Sequence, residues 1–133
     1  KPAMANKGQF VYYKTANGFI NYRLKAHNKE TIAVSGGSGY SSLSACKKGI
    51  ESVKKNVNAR IEDQTLQKSE TLPCPKFELY LDKAGKYRYR LLASNGELIC
   101  VCEEGYATKD GCKRGIQSLA KWAPEADVVA EQA

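Results

Sequence analysis

The chain has 133 residues, 42% hydrophobic and 26% charged, with a formal net charge of +7; this composition suits one globular domain or two fused half-domains and excludes a wholly disordered or fibrous chain. No apolar run approaches the roughly 20 residues that a helix needs to cross a bilayer, so no membrane contact is expected. The charge is lopsided: residues 1–66 hold eleven Lys/Arg against four Asp/Glu, and residues 67–133 hold ten of each, which gives the first half an attraction for anionic partners.

In chain order, Lys1-Pro2-Ala3-Met4-Ala5 precede any patterned segment. They read as an added tail, with the natural start at Met4. Alternation of Phe10 and Tyr12 against Val11 and Tyr13 predicts a first strand, and Asn17-Gly18 supplies the positive φ of a tight hairpin. A second strand is predicted from Ile20 to Ala26. Ile20, Tyr22, Leu24 and Ala26 share one of its faces, and Asn21, Arg23 and Lys25 the other. After an Asn28-Lys29 turn, Thr31 to Ser35 form a third strand. Ser42 is placed to cap a helix, since its hydroxyl can accept from an unpaired amide of the first turn. Cys46, Ile50, Val53 and Val57 form the apolar stripe of that helix, and Lys47, Lys48, Glu51, Lys54 and Lys55 its outer side. Gly49 beside the stripe costs about 0.5–1 kcal/mol against Ala, so it marks a close approach of helix to sheet. Ala59 to Asp63 form a short last strand.

The same order then returns. Phe77, Leu79 and Leu81 alternate with Glu78, Tyr80 and Asp82. Lys83-Ala84-Gly85 makes the hairpin, and Lys86 to Ala93 make a strand with Tyr87, Tyr89, Leu91 and Ala93 on one face and Arg88, Arg90 and Leu92 on the other. Asn95-Gly96 turns into a strand from Glu97 to Cys102. Thr108 caps a helix striped by Cys112, Ile116, Leu119 and Ala123, again with a glycine, Gly115, beside the stripe. Pro124 ends that helix, and Ala126 to Val129 make the last strand. The chain is therefore α+β, two tandem β-β-β-α-β repeats of about 67 residues, a period too long for a solenoid unit. Residues 8–63 are the first repeat, 64–74 a polar linker, and 75–130 the second. The expected core is Phe10, Tyr22, Leu24, Ile32, Val34, Cys46, Ile50 and Val53 with Phe77, Leu79, Tyr89, Leu91, Ile99, Val101, Cys112, Ile116 and Leu119.

Motifs recur in order in both copies: the hairpin glycine, Tyr22-Arg23-Leu24-Lys25-Ala26 and Tyr89-Arg90-Leu91-Leu92-Ala93, Asn28-Lys29-Glu30 and Asn95-Gly96-Glu97, Gly39-Tyr40 and Gly105-Tyr106, Cys46-Lys47-Lys48-Gly49-Ile50-Glu51-Ser52 and Cys112-Lys113-Arg114-Gly115-Ile116-Gln117-Ser118. On these the chain resembles the YegP-like family of small bacterial proteins, over nearly all its length. The resemblance implies one shared antiparallel sheet, with the C-terminal strand of each repeat exchanged into the other and both helices on one face. It implies no established activity and no active site.

Little points to catalysis. The only histidine, His27, precedes a turn, and every nucleophile–histidine pairing would depend on it. The five cysteines, odd in number and without a recognisable secretory signal, read as reduced thiols of a cytoplasmic protein. Cys100 and Cys102 point to one sheet face but lack the further ligands a metal site wants; Cys46 and Cys112 face the core, and Cys74 lies exposed in the linker. Ser35-Gly36-Gly37-Ser38-Gly39 precedes a helix as a phosphate cradle would, yet lacks the Gly-Lys-Ser/Thr ending of a P-loop and has no glycine counterpart in the second repeat. It reads as a surface loop. No catalytic residue, cofactor site or metal site is expected.

The candidate interaction face is the side of the sheet away from the helices, carrying Tyr13, Arg23 and Lys25 from one repeat and Tyr80, Arg88 and Arg90 from the other. Leu92, Leu98, Cys100 and Val11 add apolar area. Tyr and Arg are enriched where proteins meet, which favours a protein partner or self-association; they also stack bases and hold phosphates, which keeps nucleic acid as the alternative. The reading is a non-enzymatic interaction module.

Overall fold

The computed structural model describes residues 7–131, so the expected start at Met4 lies outside the described residues. Strands β1 (Gln9–Lys14), β2 (Ile20–Lys25) and β3 (Thr31–Val34) lead to helix α1 (Leu43–Asn56) and strand β4 (Arg60–Asp63). The second repeat gives β5 (Lys76–Leu81), β6 (Tyr87–Leu92), β7 (Leu98–Cys102), helix α2 (Lys109–Trp122) and β8 (Asp127–Ala130). The hairpins close at Gly18 and Gly85, whose φ values of 87° and 83° lie in the left-handed region that only glycine enters freely. Ser42 and Thr108 cap the helices as expected, their hydroxyls accepting from Ala45 and Gly111 amides.

All eight strands form one sheet in the order β4-β5-β6-β7-β3-β2-β1-β8. The last strand of each repeat is exchanged: β4 pairs with β5 of the second repeat, and β8 pairs with β1 of the first. The six inner strands are antiparallel, as expected; the two exchanged strands run parallel to their neighbours, so the sheet is mixed. The repeats join where β3 meets β7, at Ala33–Cys102 and Val34–Val101.

Both helices bury their stripes in one core. Phe10, Cys46, Ile50, Val53, Phe77, Leu79, Tyr89, Leu91, Cys112 and Leu119 are fully buried there. In each half three aromatics stack inward. Phe10 meets Tyr22 edge-on at 5.7 Å and Tyr22 stacks on Tyr40 at 6.0 Å; Phe77, Tyr89 and Tyr106 repeat this at 6.0 and 6.4 Å. Such pairs contribute about 0.5–1.5 kcal/mol beyond area burial. The third ring explains the helix glycines. A Cβ at Gly49 would collide with the Tyr40 phenol, and one at Gly115 with that of Tyr106. The close neighbour is thus a phenol, not the sheet backbone.

The third strands depart from the expected alternation. In β3, Arg23 opposes Val34 and Leu24 opposes Ala33, but Lys25 opposes Thr31, so Ile32 is an extra residue; Ile99 is the extra residue of β7 in the same way. A bulge shifts the side-chain parity beyond it. Ala33, Cys100 and Cys102 therefore face the core, while Val34 and Val101 turn to the other side, and Ile32 is only half-buried at the core margin. This corrects the core assignment of Ile32, Val34 and Val101, and the outer-face assignment of Cys100. The bulges also tie the repeats together. The Tyr22 hydroxyl donates to the Ile99 carbonyl, and the Tyr89 hydroxyl to the Ile32 carbonyl at 3.4 Å.

Candidate interaction face

Alternation along β2 and β6 is set by the buried Tyr22, Leu24, Tyr89 and Leu91, and it turns Arg23, Lys25, Arg88 and Arg90 to the helix-free side. Tyr13 on β1 and Tyr80 on β5 join them. The register makes one row across this face: Glu62, Glu78, Arg90, Val101, Val34, Arg23, Val11 and Val129. Val101 and Val34 are its half-exposed centre. On either side an arginine lies over a tyrosine ring, Arg23 at 4.1 Å from the centre of Tyr13 and Arg90 at 4.3 Å from that of Tyr80. The two Arg–Tyr pairs belong to strands three spacings apart, about 14 Å at ordinary strand separation. The fold thus brings the six residues onto one face in two groups. Leu92 and Leu98 lie beside Val101, and the glycine-rich loop folds back on it: a Cβ at Gly36 would stand 3.1 Å from Val101 and 3.3 Å from Leu98.

The arginines are not free. Arg23 pairs with Glu131 at 2.8 Å, Arg88 with Asp82 at 2.6 Å and Arg90 with Glu78 at 2.6 Å. Lys25 has no ion-pair partner among the described residues. The exposed lysines Lys47, Lys48 and Lys55 sit on α1, behind the sheet. Part of the positive excess of the first half is therefore on the opposite side from the Tyr/Arg face.

A charge network that the sequence reading missed lies at the β4–β5 margin. Lys76 contacts Glu62 at 2.6 Å and Glu78 at 3.1 Å, and its side chain is 8% exposed. The linker covers it with Leu72, whose amide donates to Glu62 at 2.7 Å. The matching places at the β1–β8 edge of the sheet hold Gln9, Val11 and Val129. Only the strand exchange brings Glu62 beside Lys76, so sequence distance hid the pair. Hydrogen bonds from Gln64, Lys76 and the Leu72 amide hold the Glu62 carboxyl down at about 2, from an ordinary 4.5. A depressed carboxyl stabilises the fold fully above its unfolded value and loses that contribution as pH falls. Chemical denaturation across acid pH is expected to show stability falling between about pH 4.5 and 2, and Glu62→Gln is expected to flatten that fall. At neutral pH the variant should cost about 1.5–3 kcal/mol, since it leaves Lys76 covered without its closest carboxylate.

Elsewhere the expected site residues stand apart. His27 is exposed and its ring lies 4.8 Å from that of Trp122. Cys46, Cys100, Cys102 and Cys112 are buried, and Cys74 is half-exposed in the linker. Among the described residues no three His, Cys, Asp or Glu cluster as metal ligands, and no helix is long and apolar enough to cross a membrane.

A family model described as Domain of unknown function (DUF1508) matches residues 16–63 and again residues 82–129. The chain belongs to this family. A UPF0339 protein from Methanosarcina acetivorans is 52% identical over 54 residues, which is 41% of this chain and 91% of that protein. Another from Photorhabdus laumondii is 31% identical over 121 residues, 91% of each chain. The solution NMR structure of the Escherichia coli protein of unknown function yegP superposes with a TM-score of 0.74 at 27% identity, covering 94% of this chain and 93% of that one. These matches bear out the tandem YegP-like reading and the shared sheet, and none of them indicates a catalytic family.

Proposed function

We propose that this DUF1508 protein is a non-catalytic interaction module whose contact surface is the helix-free face of its sheet. The observation that carries this reading is the mirrored arrangement of Tyr13–Arg23 and Tyr80–Arg90 about the half-exposed Val34–Val101 centre. Rigid aromatic and guanidinium groups around an apolar centre are what protein contacts favour. The carboxylates that neutralise the three arginines weaken the case for phosphate binding, and the lysine-rich helix points the other way.

Affinity capture from the native cell tests this with the wild-type chain beside Val34→Glu/Val101→Glu. A protein held by the wild type and lost by the variant is the expected result, with both chains equally folded by circular dichroism. A partner held equally by both would sink the assignment of the face. The nucleic-acid alternative predicts retention of single-stranded RNA that falls steeply with salt and weakens in Arg23→Ala/Arg90→Ala; weak retention, unchanged by that pair of substitutions, is expected instead.

A further inference from the structure

The helix side of the molecule carries two open clefts in equivalent places, each built from both repeats. One, of about 620 Å³, lies between α2 and the β2–β3 turn. The other, of about 350 Å³, lies between α1 and the β6–β7 turn. Each is lined by a carboxylate from one repeat and by a tyrosine, a cation and a serine from the other. These are Glu30, Tyr106, Arg114 and Ser118 in the wider cleft, and Glu97, Tyr40, Lys48 and Ser52 in the narrower. They are the residues of the recurring Asn-x-Glu, Gly-Tyr and Cys-Lys-x-Gly-Ile-x-Ser motifs. Of the other outward positions of the helices, Glu51 against Gln117, Lys54 against Ala120 and Asn56 against Trp122 have drifted between the copies, while Lys47 and Lys55 return as Lys113 and Lys121.

Three features suit these clefts to a ligand. First, among the described residues none of Glu30, Glu97, Lys48 and Arg114 makes an ion pair, whereas Arg23, Lys76, Arg88 and Arg90 on the other face all do. Second, the cation and the serine are four residues apart on one helix, so they stand one turn apart on the same side and can hold two oxygens of one anion. Third, the wall between them and the carboxylate is the bulged residue, Ile32 or Ile99, whose carbonyl is fixed by a tyrosine of the other repeat. Such a wall costs little to order on binding. The phenols add neutral polar groups. Burial, with smaller contributions from Cys102, Cys112 and, least of all, Glu30, raises the Tyr106 hydroxyl to about 12, so it stays protonated at neutral pH.

We propose that the two clefts bind α-amino acid zwitterions, with the ligand carboxylate against Arg114 and Ser118 (Lys48 and Ser52 in the narrower cleft) and its ammonium against Glu30 (Glu97). The wider cleft also has Glu103 and Glu104 on its rim, where the first repeat has its glycine loop. That cleft therefore favours a basic side chain, and L-lysine is the probe for it.

The test is a titration of the uniformly ¹⁵N-labelled full chain, followed by amide shifts. L-Lysine is expected to give saturable shifts at Glu30, Tyr106, Arg114 and Ser118, while acetate and butylamine, each carrying half of the zwitterion, bind at least about tenfold more weakly. Glu30→Gln and Arg114→Ala each alter an exposed side chain, and each should weaken L-lysine about tenfold without changing the rest of the spectrum. Lys68→Ala, an exposed linker position that lines neither cleft, should leave the titration unchanged. No saturable shift with L-lysine overturns the proposal. So does acetate binding as tightly, or an undiminished titration in both cleft variants.

Discussion

Residues 1–70, cut from the rest within the linker, are expected to run as a two-fold dimer and not as a folded monomer. In the intact chain β1 takes its outer partner from the second repeat, and β4 gives itself to that repeat. An isolated half keeps β1, β2, β3 and α1 but has nowhere of its own to place β4. Its β3 edge, which the intact sheet joins to β7, would be bare as well. The core residues Phe10, Tyr22 and Leu24 would lose part of their cover, and about 60–70 residues is already near the lower limit for an independent core. Two copies restore everything: β4 of each pairs with β1 of the other, and the β3 strands meet at the centre. The Methanosarcina relative, matched over 91% of its length by 54 residues of this chain, has room for one repeat only and faces the same constraint. Sedimentation equilibrium on the fragment decides the matter; a well-dispersed spectrum from a monomer would contradict the exchange as the source of stability.

The second large effect is expected at a position where helix propensity argues the other way. Gly115→Ala in the middle of α2 should gain about 0.5–1 kcal/mol from propensity. It instead drives a methyl into the Tyr106 phenol, which is stacked on Tyr89 and has the core behind it. Overpacking of this kind costs about 1–3 kcal/mol and occasionally more. We expect a net loss of about 2 kcal/mol, a fall of roughly 5–10 °C in Tm for a chain of this size. The diagnosis is checked by Tyr106→Leu in the same chain. If the phenol is the obstacle, the alanine should cost little in the leucine background, and the pair will be non-additive in a double-mutant cycle. Additive costs would mean that some other contact fixes the glycine.

These two cases show what a single sequence exposes. The duplication displayed the fold because the signals that set its elements occur twice: the hairpin glycines, the Ser42 and Thr108 caps, and the Cys46–Ile50–Val53 stripe with its counterpart. Local signals carry no strand direction across a long connection, so the parallel pairing of β4 and β8 could not be read from them. The bulges were hidden for a related reason. Ile32 and Ile99 sit in ordinary apolar runs, and only the opposing strand reveals that one residue of each run has no partner. That single residue moved Val34 and Val101 outward and drew Cys100 in. The Glu62–Lys76–Glu78 network depends on the exchanged strand, and its counterpart at the β1–β8 edge is largely apolar. The Gly-Tyr and Gly-Ile motifs were visible as a repeat, but that one motif's glycine answers the other's phenol became apparent only when the two were seen in contact. The Tyr/Arg face was legible because β2 and β6 keep strict alternation, though the carboxylates that neutralise it come mostly from neighbouring strands and from Glu131.

The pairing of β8 with β1 also orders events during synthesis. Proteins are made from the N-terminus, and a domain usually begins to fold as it emerges. Here β1 keeps an open edge until Asp127–Ala130, more than a hundred positions downstream, have been polymerised. The nascent first repeat thus carries an unfilled strand slot until the second repeat has been made, and its nearest competitor for that slot is the β4 of a neighbouring copy on the same messenger.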